Sequence, residues 1–244
     1  MSVNPQIVKS RFEKSLNKYN ENAIVQNIMA DNICTALSSI RTTYNNVLEL
    51  GCGSGLLTEK LLKIIKYQNY YANDITKNAE RYIRDIIENF IFINGNALRI
   101  STNKKFDLII SNAMFQWLNL NDVLDKSLSL CDKGGILAFT TFVKGNFNEF
   151  TKISGLSLDY KSKSDILNIF ENDYELLYCD EFEKKLTFNN PLEMLLHMKN
   201  TGVNSLSDKN WSIKDIKIFC EKMNKSYDTI TLTYKPIILI FKKL

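Results

Sequence analysis

From Val47 onward short apolar runs alternate with amphipathic stretches. The pattern predicts strands over 47–50, 70–74, 90–94, 106–111 and 136–142, with helices over 55–66, 76–88 and 121–131 between them. Strands separated by helical crossovers pair in parallel, and a parallel sheet must be covered by helices on both faces. The alternation therefore makes the chain α/β and excludes an all-β sandwich or a helical bundle. At 244 residues, 45% of them apolar, the chain can bury one ordinary core of this kind, and no repeat or Gly/Ser/Pro-rich linker divides it.

Two helical pieces precede the sheet over residues 5–40, separated by the polar break Lys18–Asn22; Ile24, Ile28, Ile33, Leu37 and Ile40 recur at helical spacing in the second. Beyond the fifth strand the pattern predicts a helix over 164–171, an extended run over 174–188 and helices over 191–200 and 212–224. The 191–200 helix has Asn190 as cap, Pro191 in its first turn, Glu193 at the capping-box position and Gly202 just past its end. The last apolar segment carries Pro236 in its middle, where a central strand would lose a ladder hydrogen bond, so a bulge or break is expected there.

Charge and composition remove several classes of function. The 31 Lys+Arg against 27 Asp+Glu leave +4 with no basic block, so no nucleic-acid partner is expected. A polar N-terminal stretch and the lack of any run of about 18 apolar residues predict no membrane association and a cytoplasmic location. Five widely spaced cysteines suit reduced core thiols, and a single histidine, His197, cannot build a multi-His metal centre. No metal is expected, and His197 is read as structural.

Chemistry concentrates at the strand ends. The first strand, Val47-Leu48-Glu49-Leu50, runs into Gly51-Cys52-Gly53-Ser54-Gly55 and a helix opening on Leu56. Alternate glycines let backbone approach a ligand, beside the free N–H groups of the next helix; the bland reading is a tight turn. A dinucleotide fingerprint would need a glycine where Leu56 stands. The second strand ends at Asp74, whose carboxylate can accept from both hydroxyls of a ribose, with Ile75 against an adenine face; alternatively Asp74 only caps the next helix. After the third strand, Asn96 and Ala97 can meet an adenine edge. After the fourth come Asn112, Gln116 and Trp117, for which loop capping and core packing are the competing roles.

The order Glu-Leu-Gly-Cys-Gly-x-Gly, Asn-Asp-Ile, Gly-Asn-Ala and Phe-Asp-Leu-Ile-Ile-Ser-Asn resembles class I S-adenosylmethionine-dependent methyltransferases. Beyond those motifs, Phe12…Tyr19…Ala23…Gln26, Ser111-Asn112-Ala113…Gln116-Trp117, Leu137-Ala138-Phe139…Thr141-Phe142…Gly145, Lys199-Asn200-Thr201-Gly202-Val203-Asn204 and Leu232-Thr233-Tyr234 are similar to the malonyl-[acyl-carrier protein] O-methyltransferases of biotin synthesis. Two departures stand out: Asn96 where relatives commonly have Asp, and the Lys235-Pro236 break.

The resemblance implies a Rossmann-like fold with a seven-stranded, mostly parallel sheet, an arm or lid over 1–40, a methyltransferase domain over 41–244, and an acceptor-side cap contributed in part by 146–224. It implies S-adenosylmethionine as methyl donor and S-adenosylhomocysteine as product, held by Gln26, Glu49, Gly51, Gly53, Asp74, Ile75, Asn96, Ala97 and Asn112. Tyr19, Lys199, Gln116 and Trp117 are the expected catalytic residues, with Tyr19 and Lys199 orienting the malonyl group by hydroxyl and ammonium. The acceptor would be the free carboxylate of malonyl-acyl-carrier protein or malonyl-coenzyme A, with the enzyme a monomer. A carboxylate with a pKa of roughly 4 is ionised at neutral pH, so it needs no general base, which suits a chain with one histidine. A small-molecule carboxylate methyltransferase of the trans-aconitate type shares the cofactor residues, and a non-catalytic binding module is the alternative from another class. A base-modifying methyltransferase fits less well, because Ser-Asn-Ala-Met stands where such enzymes carry Asn/Asp-Pro-Pro-aromatic.

Overall fold

The computed structural model describes residues 5–202 and 211–244. In chain order the elements are α1 (Pro5–Asn22), α2 (Ile24–Ser38), β1 (Thr43–Leu50), α3 (Leu56–Leu61), β2 (Lys66–Asp74), α4 (Ala79–Arg84), β3 (Ile91–Asn94), β4 (Phe106–Ser111), α5 (Leu120–Leu130) and β5 (Cys131–Phe142). They continue with α6 (Asn148–Ser154), α7 (Lys163–Phe170), β6 (Tyr174–Glu181), β7 (Lys184–Phe188), α8 (Pro191–Asn200), α9 (Ile213–Ser226), β8 (Ile230–Tyr234) and β9 (Pro236–Lys243).

Among the described residues seven strands form one sheet in the order β3-β2-β1-β4-β5-β9-β6. The pairs from β3 to β5 are parallel, and β9 runs antiparallel to both its neighbours. Period-2 alternation covers both faces: Val47, Leu108, Ile110, Ile136, Ala138, Ile238 and Ile240 pack with α2, α3 and α4. Leu48, Ile109, Leu137, Phe139, Leu239 and Phe241 pack on the opposite face with α5 and α7. Every second side chain thus serves a different core, which is why these strands read as continuous apolar runs. A third cluster, including Met29, Phe142, Phe147, Met194, Met198, Phe219, Met223 and Tyr234, joins α2 to the cap elements α6, α8 and α9 and strand β8. Within the described part of 146–224, α7 and β6 therefore belong to the main sheet layers, while α6, α8 and α9 pack together in the third cluster.

Several boundaries differ from the sequence pattern. The arm is not broken at Lys18–Asn22: α1 continues through it, and the interruption is the single buried residue Ala23, at φ −79° and ψ 47°. Asn22 sustains the helix by donating from its side chain to Lys18 O at 2.7 Å. β1 starts at Thr43 rather than 47, because the Asp107 carboxylate accepts from the N–H groups of Asn45 and Asn46. Both expected long helices shorten, to α3 and α4, with turns completing their spans. The extended run 174–188 splits into β6 in the main sheet and β7, which pairs with β8 in a separate ribbon. Pro236 marks the matching switch on the last segment: β8 stays in the ribbon, and β9 enters the main sheet from Pro236 onward. The α8 boundaries hold, with Asn190 Oδ1 accepting from Glu193 N at 3.0 Å and Gly202 beyond the end at φ 73°. The Val203-Asn204 part of the family-like segment lies outside the described residues.

Candidate active site

Parallel register brings four strand ends to one edge, since Leu50 lies beside Asn73 and Ser111, and Asp74 beside Asn94. The strand order also reverses between β1 and β4, and in open α/β sheets ligands bind at such a switch point. A cavity lies there, lined by Gly51, Gly53, Asp74, Ile75, Asn96, Ala97, Asn112 and Trp117 from the sheet side and by Val8, Phe12, Leu16 and Tyr19 from α1.

The glycines in the first loop have different reasons to be glycine. Gly51, Gly53 and Gly55 all have positive φ, at 71°, 52° and 79°. A Cβ on Gly51 would come within 2.7 Å of Met114, and one on Gly55 within 2.2 Å of Ile86, so both are packing requirements. Over Gly53 the nearest atom would be Gly51 O at 4.0 Å, and over Gly95 nothing lies within 4 Å. These two line the cavity and leave open space against bare backbone, a cradle that a flat, polar-edged ligand can fill.

Asp74 lines the cavity and holds the turn after its own strand; α4 begins only at Ala79, with Asn78 at its N-cap, so Asp74 does not cap that helix. Its Oδ1 accepts from Thr76 N at 2.7 Å and Thr76 Oγ1 at 2.8 Å, while Oδ2 accepts from Gly53 N at 2.9 Å. The carboxylate thus locks loop to strand, and the residue lines the cavity. Burial raises its pKa, against the three hydrogen bonds that lower it. Asn96 spends its side-chain oxygen on Leu98 N at 2.9 Å, capping a 3-10 turn over Ala97–Arg99.

At the fourth strand end the side chain of Asn112 is fixed by its neighbours: it donates to Gln26 O at 3.0 Å and accepts from Thr140 Oγ1 at 2.6 Å. Thr140 also holds Ala113, whose N–H donates to Thr140 Oγ1 at 2.9 Å while the residue sits at φ 51°. A non-glycine residue in that region costs about 1–2 kcal/mol, and here it turns the chain sharply toward Trp117.

Four of the residues chosen from sequence do not line this cavity. Glu49 is buried beneath the loop, where its Oε2 accepts from Thr58 Oγ1 and the Tyr70 hydroxyl. Burial pushes its carboxyl up to about 7, those hydrogen bonds pulling it down and Asp74 adding to the rise. Gln26 is buried and meets Asn112 through its backbone oxygen. Gln116 faces a second cavity on the other side of Trp117. Lys199 is exposed on α8. Buried side-chain atoms without a partner, among the described residues, are Gln26 Oε1, Glu49 Oε1, Gln116 Oε1 and Trp117 Nε1, so every such atom sits on a residue singled out from sequence.

The arm closes over the cavity through contacts that the sequence reading did not anticipate. Val8, Phe12, Leu16 and Tyr19 fall at i, i+4, i+8 and i+11, a helical stripe that was visible in the sequence. Phe12 sits edge-on to Trp117, centroids 5.9 Å apart, and fills the space where a Cβ on Gly202 would meet it at 3.0 Å. Asn20 accepts from Ser54 Oγ at 2.5 Å, Asn17 from Arg81 Nη2 at 2.9 Å, and Asn22 from Asn200 Nδ2 at 3.2 Å. Burial, then the nearby Asp74 charge, raises the pKa of Tyr19, so its hydroxyl keeps its proton. His197 is buried against the Tyr234 hydroxyl at 2.7 Å, and burial lowers its pKa to about 4, so it is neutral and outside the cavity lining. Among the described residues no group of three His, Cys, Asp or Glu could hold a metal ion, and no helix is long and apolar enough to cross a membrane.

A family described as methyltransferase domain matches residues 47–135. The malonyl-[acyl-carrier protein] O-methyltransferase of Chlorobium phaeovibrioides is 34% identical, over 97% of this chain and 96% of its own length. The protein of the same name from Haemophilus influenzae is 31% identical, over 98% and 95%. Among solved structures, the N-methyltransferase NodS of Bradyrhizobium japonicum, in complex with S-adenosyl-L-homocysteine, superposes with a TM-score of 0.55 over 97% of this chain and 98% of its own at 14% identity, a likeness of fold.

Proposed function

The chain belongs to the malonyl-[acyl-carrier protein] O-methyltransferase family, and from that premise we propose that its cavity directs the methyl group of S-adenosylmethionine onto the free carboxylate of a malonyl thioester, a step of biotin synthesis. The observation that carries this reading is one cavity with the Asp74 carboxylate and the bare backbone of Gly53 and Gly95 on its floor and Tyr19 of the closed arm on its roof. S-adenosylmethionine supplies a methyl group on a positively charged sulfur, leaving S-adenosylhomocysteine.

Asp74 would accept from the ribose hydroxyls, Ile75 would pack on the adenine, and Asn96 and Ala97 would meet its edge. The Asn96 oxygen is committed to Leu98, so its amide nitrogen is the part available, a donor where an Asp would offer only acceptors. Gly51 and Asn112 shape the remaining wall, while Glu49 and Gln26 support it from behind. Tyr19, with its proton held, would donate to the acceptor carboxylate and aim it. No residue needs to act as a base, because the acceptor is already ionised. Opposite charges cancel as the ester forms, so the water excluded by Phe12, Leu16 and Trp117 favours the reaction. Lys199, exposed on the arm-facing helix α8, would attract the anionic acceptor to this end of the molecule.

We extend the reading to malonyl-coenzyme A, whose reacting end is the same, and to a monomer without a nucleic-acid partner. Mass spectrometry of malonyl-acyl-carrier protein after incubation with enzyme and S-adenosylmethionine should find one added methyl group. The rate at saturating substrates should be nearly flat from about pH 6.5 to 8.5, because the acceptor carboxylate stays ionised across that range. Transfer to trans-aconitate but not to the malonyl thioester would move the enzyme to the small-acid class.

A further inference from the structure

Hydrogen bonds to the neighbouring strand fix the cavity wall at the end of β3. Gly95 N donates to Asp74 O at 2.8 Å, Asn94 Nδ2 to the same oxygen at 3.0 Å, and Asn73 Nδ2 to Ile93 O at 2.7 Å and Gly95 O at 3.0 Å. Asn96 follows, lining the cavity together with Ile75 and Ala97. Its backbone oxygen accepts from Arg99 N at 2.9 Å, and its side-chain Oδ1 from Leu98 N at 2.9 Å. A backbone N–H can only donate, so this bond fixes which end of the planar amide is the oxygen. Leu98 packs with Ile93 against the core of the opposite sheet face and is not among the residues that line this cavity. The Asn96 oxygen is therefore spent on the turn, and what this side chain has left for a ligand is an N–H donor.

The pairing edge of adenine offers one donor and one acceptor side by side, the 6-amino group and ring N1. A donor can pair with N1; set against the amino group it leaves two donors facing each other with nothing to accept. We propose that Asn96 donates to ring N1 and that the base subsite of this chain does not read the 6-amino group, which makes Asn96 a specificity-determining residue for the nucleoside half of the cofactor. This rests on the S-adenosylmethionine reading of the cavity and adds which purines it admits: those with a free N1 lone pair, with or without the amino group. A site that accepts from a substrate N–H rejects the analogue lacking it, and a site without that acceptor has no such means of rejection. Asn96→Asp reverses the rule while keeping the turn, since one carboxylate oxygen can still accept from Leu98 N and the other can accept from the 6-amino group.

Two analogues of S-adenosylhomocysteine separate the two atoms: one with hydrogen in place of the 6-amino group, and the 1-deaza compound, in which C–H replaces ring N1. Calorimetric titration of the wild-type protein should find the first bound within about twofold of S-adenosylhomocysteine itself and the second at least about fivefold more weakly, because only the second leaves the Asn96 donor unpaired. In Asn96→Asp the ranking should reverse, with the compound lacking the amino group now the weaker of the two. A wild-type protein that binds the compound lacking the amino group as weakly as the 1-deaza compound, or more weakly, overturns the assignment and leaves the cofactor reading standing. An Asn96→Asp protein that binds S-adenosylhomocysteine and keeps the wild-type ranking also overturns it. If the wild type does not bind S-adenosylhomocysteine at all, the cofactor reading fails and this inference with it. The wild-type ranking needs no variant, so a misfolded Asn96→Asp would not remove the test.

Discussion

The two halves of the cavity are built in opposite ways. Its floor comes from the ends of β1 to β4, where each polar group sits within a residue or two of a strand end and is fixed by neighbours in register. Its roof and outer wall come from α1 and the turn after β4, with the end of α8 packed behind α1; the contact of Asn22 with Asn200 joins positions 178 residues apart. The floor is local geometry repeated at four strand ends, whereas the roof is tertiary packing. A substitution in the floor should therefore act on cofactor affinity, and one in the roof on acceptor use.

Asp74→Ala should have the largest effect. Charge-assisted hydrogen bonds to a ribose are worth on the order of 1.5–3 kcal/mol each, so losing two should weaken S-adenosylmethionine binding by about a hundredfold or more in calorimetric titration. The cooperative melt should remain. Unchanged affinity would take Asp74 out of the site and erase the floor as a functional unit.

Next comes a division inside the glycine loop. Gly55→Ala combines a left-handed backbone penalty of about 1–2 kcal/mol with overlap onto Ile86. It should lower unfolding free energy by roughly 2–4 kcal/mol in urea titration. Gly53→Ala meets open space and should lose only the backbone penalty, yet it places a methyl group where the cofactor lies and should bind it at least tenfold more weakly. If Gly53→Ala binds normally, the open space over Gly53 is not the cofactor's.

Two buried titratable groups, one under each half, sharpen the contrast through pH. Glu49, under the floor, has its carboxyl raised to about 7 by burial, so the native state favours the proton. The stability it contributes is fully present below the unfolded pKa of 4.5 and is lost as pH rises to about 7. His197, under the cap, has its pKa lowered from 6.5 to about 4, so its contribution is present above 6.5 and is lost as pH falls to about 4. The two slopes oppose each other over their shared window. His197→Gln should therefore leave a protein that loses up to roughly 3 kcal/mol between about pH 4.5 and 7, and Glu49→Gln one that gains stability with rising pH from about 4 to 6.5. Denaturant titrations at a series of pH values measure both; parallel curves for the two variants would mean that neither group carries its shift.

Much of the floor could be read from the sequence, because Gly53, Asp74, Ile75 and Asn96 each follow an apolar strand at a fixed short offset. The helix-covered faces and a break at Pro236 follow from the same local rules, whereas the strand order, and the passage of the chain from ribbon to main sheet at that break, depend on which distant segments meet. The roof was less legible. Phe12, Tyr19 and Trp117 stand among the family-like positions, but no strand end marks the Val8-Phe12-Leu16 stripe, and the docking of Phe12 at Gly202 depends on distant chain segments meeting. Glu49 and Gln26 carry the right chemistry one layer too deep: polar side chains beside the motif, turned inward to hold it. Thr140, which fixes both Asn112 and Ala113, has no sequence signal beyond a polar residue in an apolar strand.

The smallest effect expected is at Lys199, and it tests whether the roof extends to the surface of α8. The side chain is exposed and lies outside the cavity lining, so removing its charge should change stability by less than about 0.5 kcal/mol. Any contribution to the reaction must then come from long-range attraction of the anionic acceptor, which acts on encounter and is screened by salt within roughly 10 Å at 0.1 M. Lys199→Met should raise the acceptor KM by about two- to threefold at low ionic strength, with kcat and cofactor affinity unchanged. The difference should vanish in about 0.5 M salt, and Lys199→Arg should restore it because attraction at this range needs charge rather than geometry. A tenfold fall in kcat that salt does not relieve and Arg does not rescue would mean that the ammonium reaches the reacting carboxylate. In that case the boundary between a cavity roofed by Tyr19 and a merely steering surface on α8 would have to be redrawn to include Lys199.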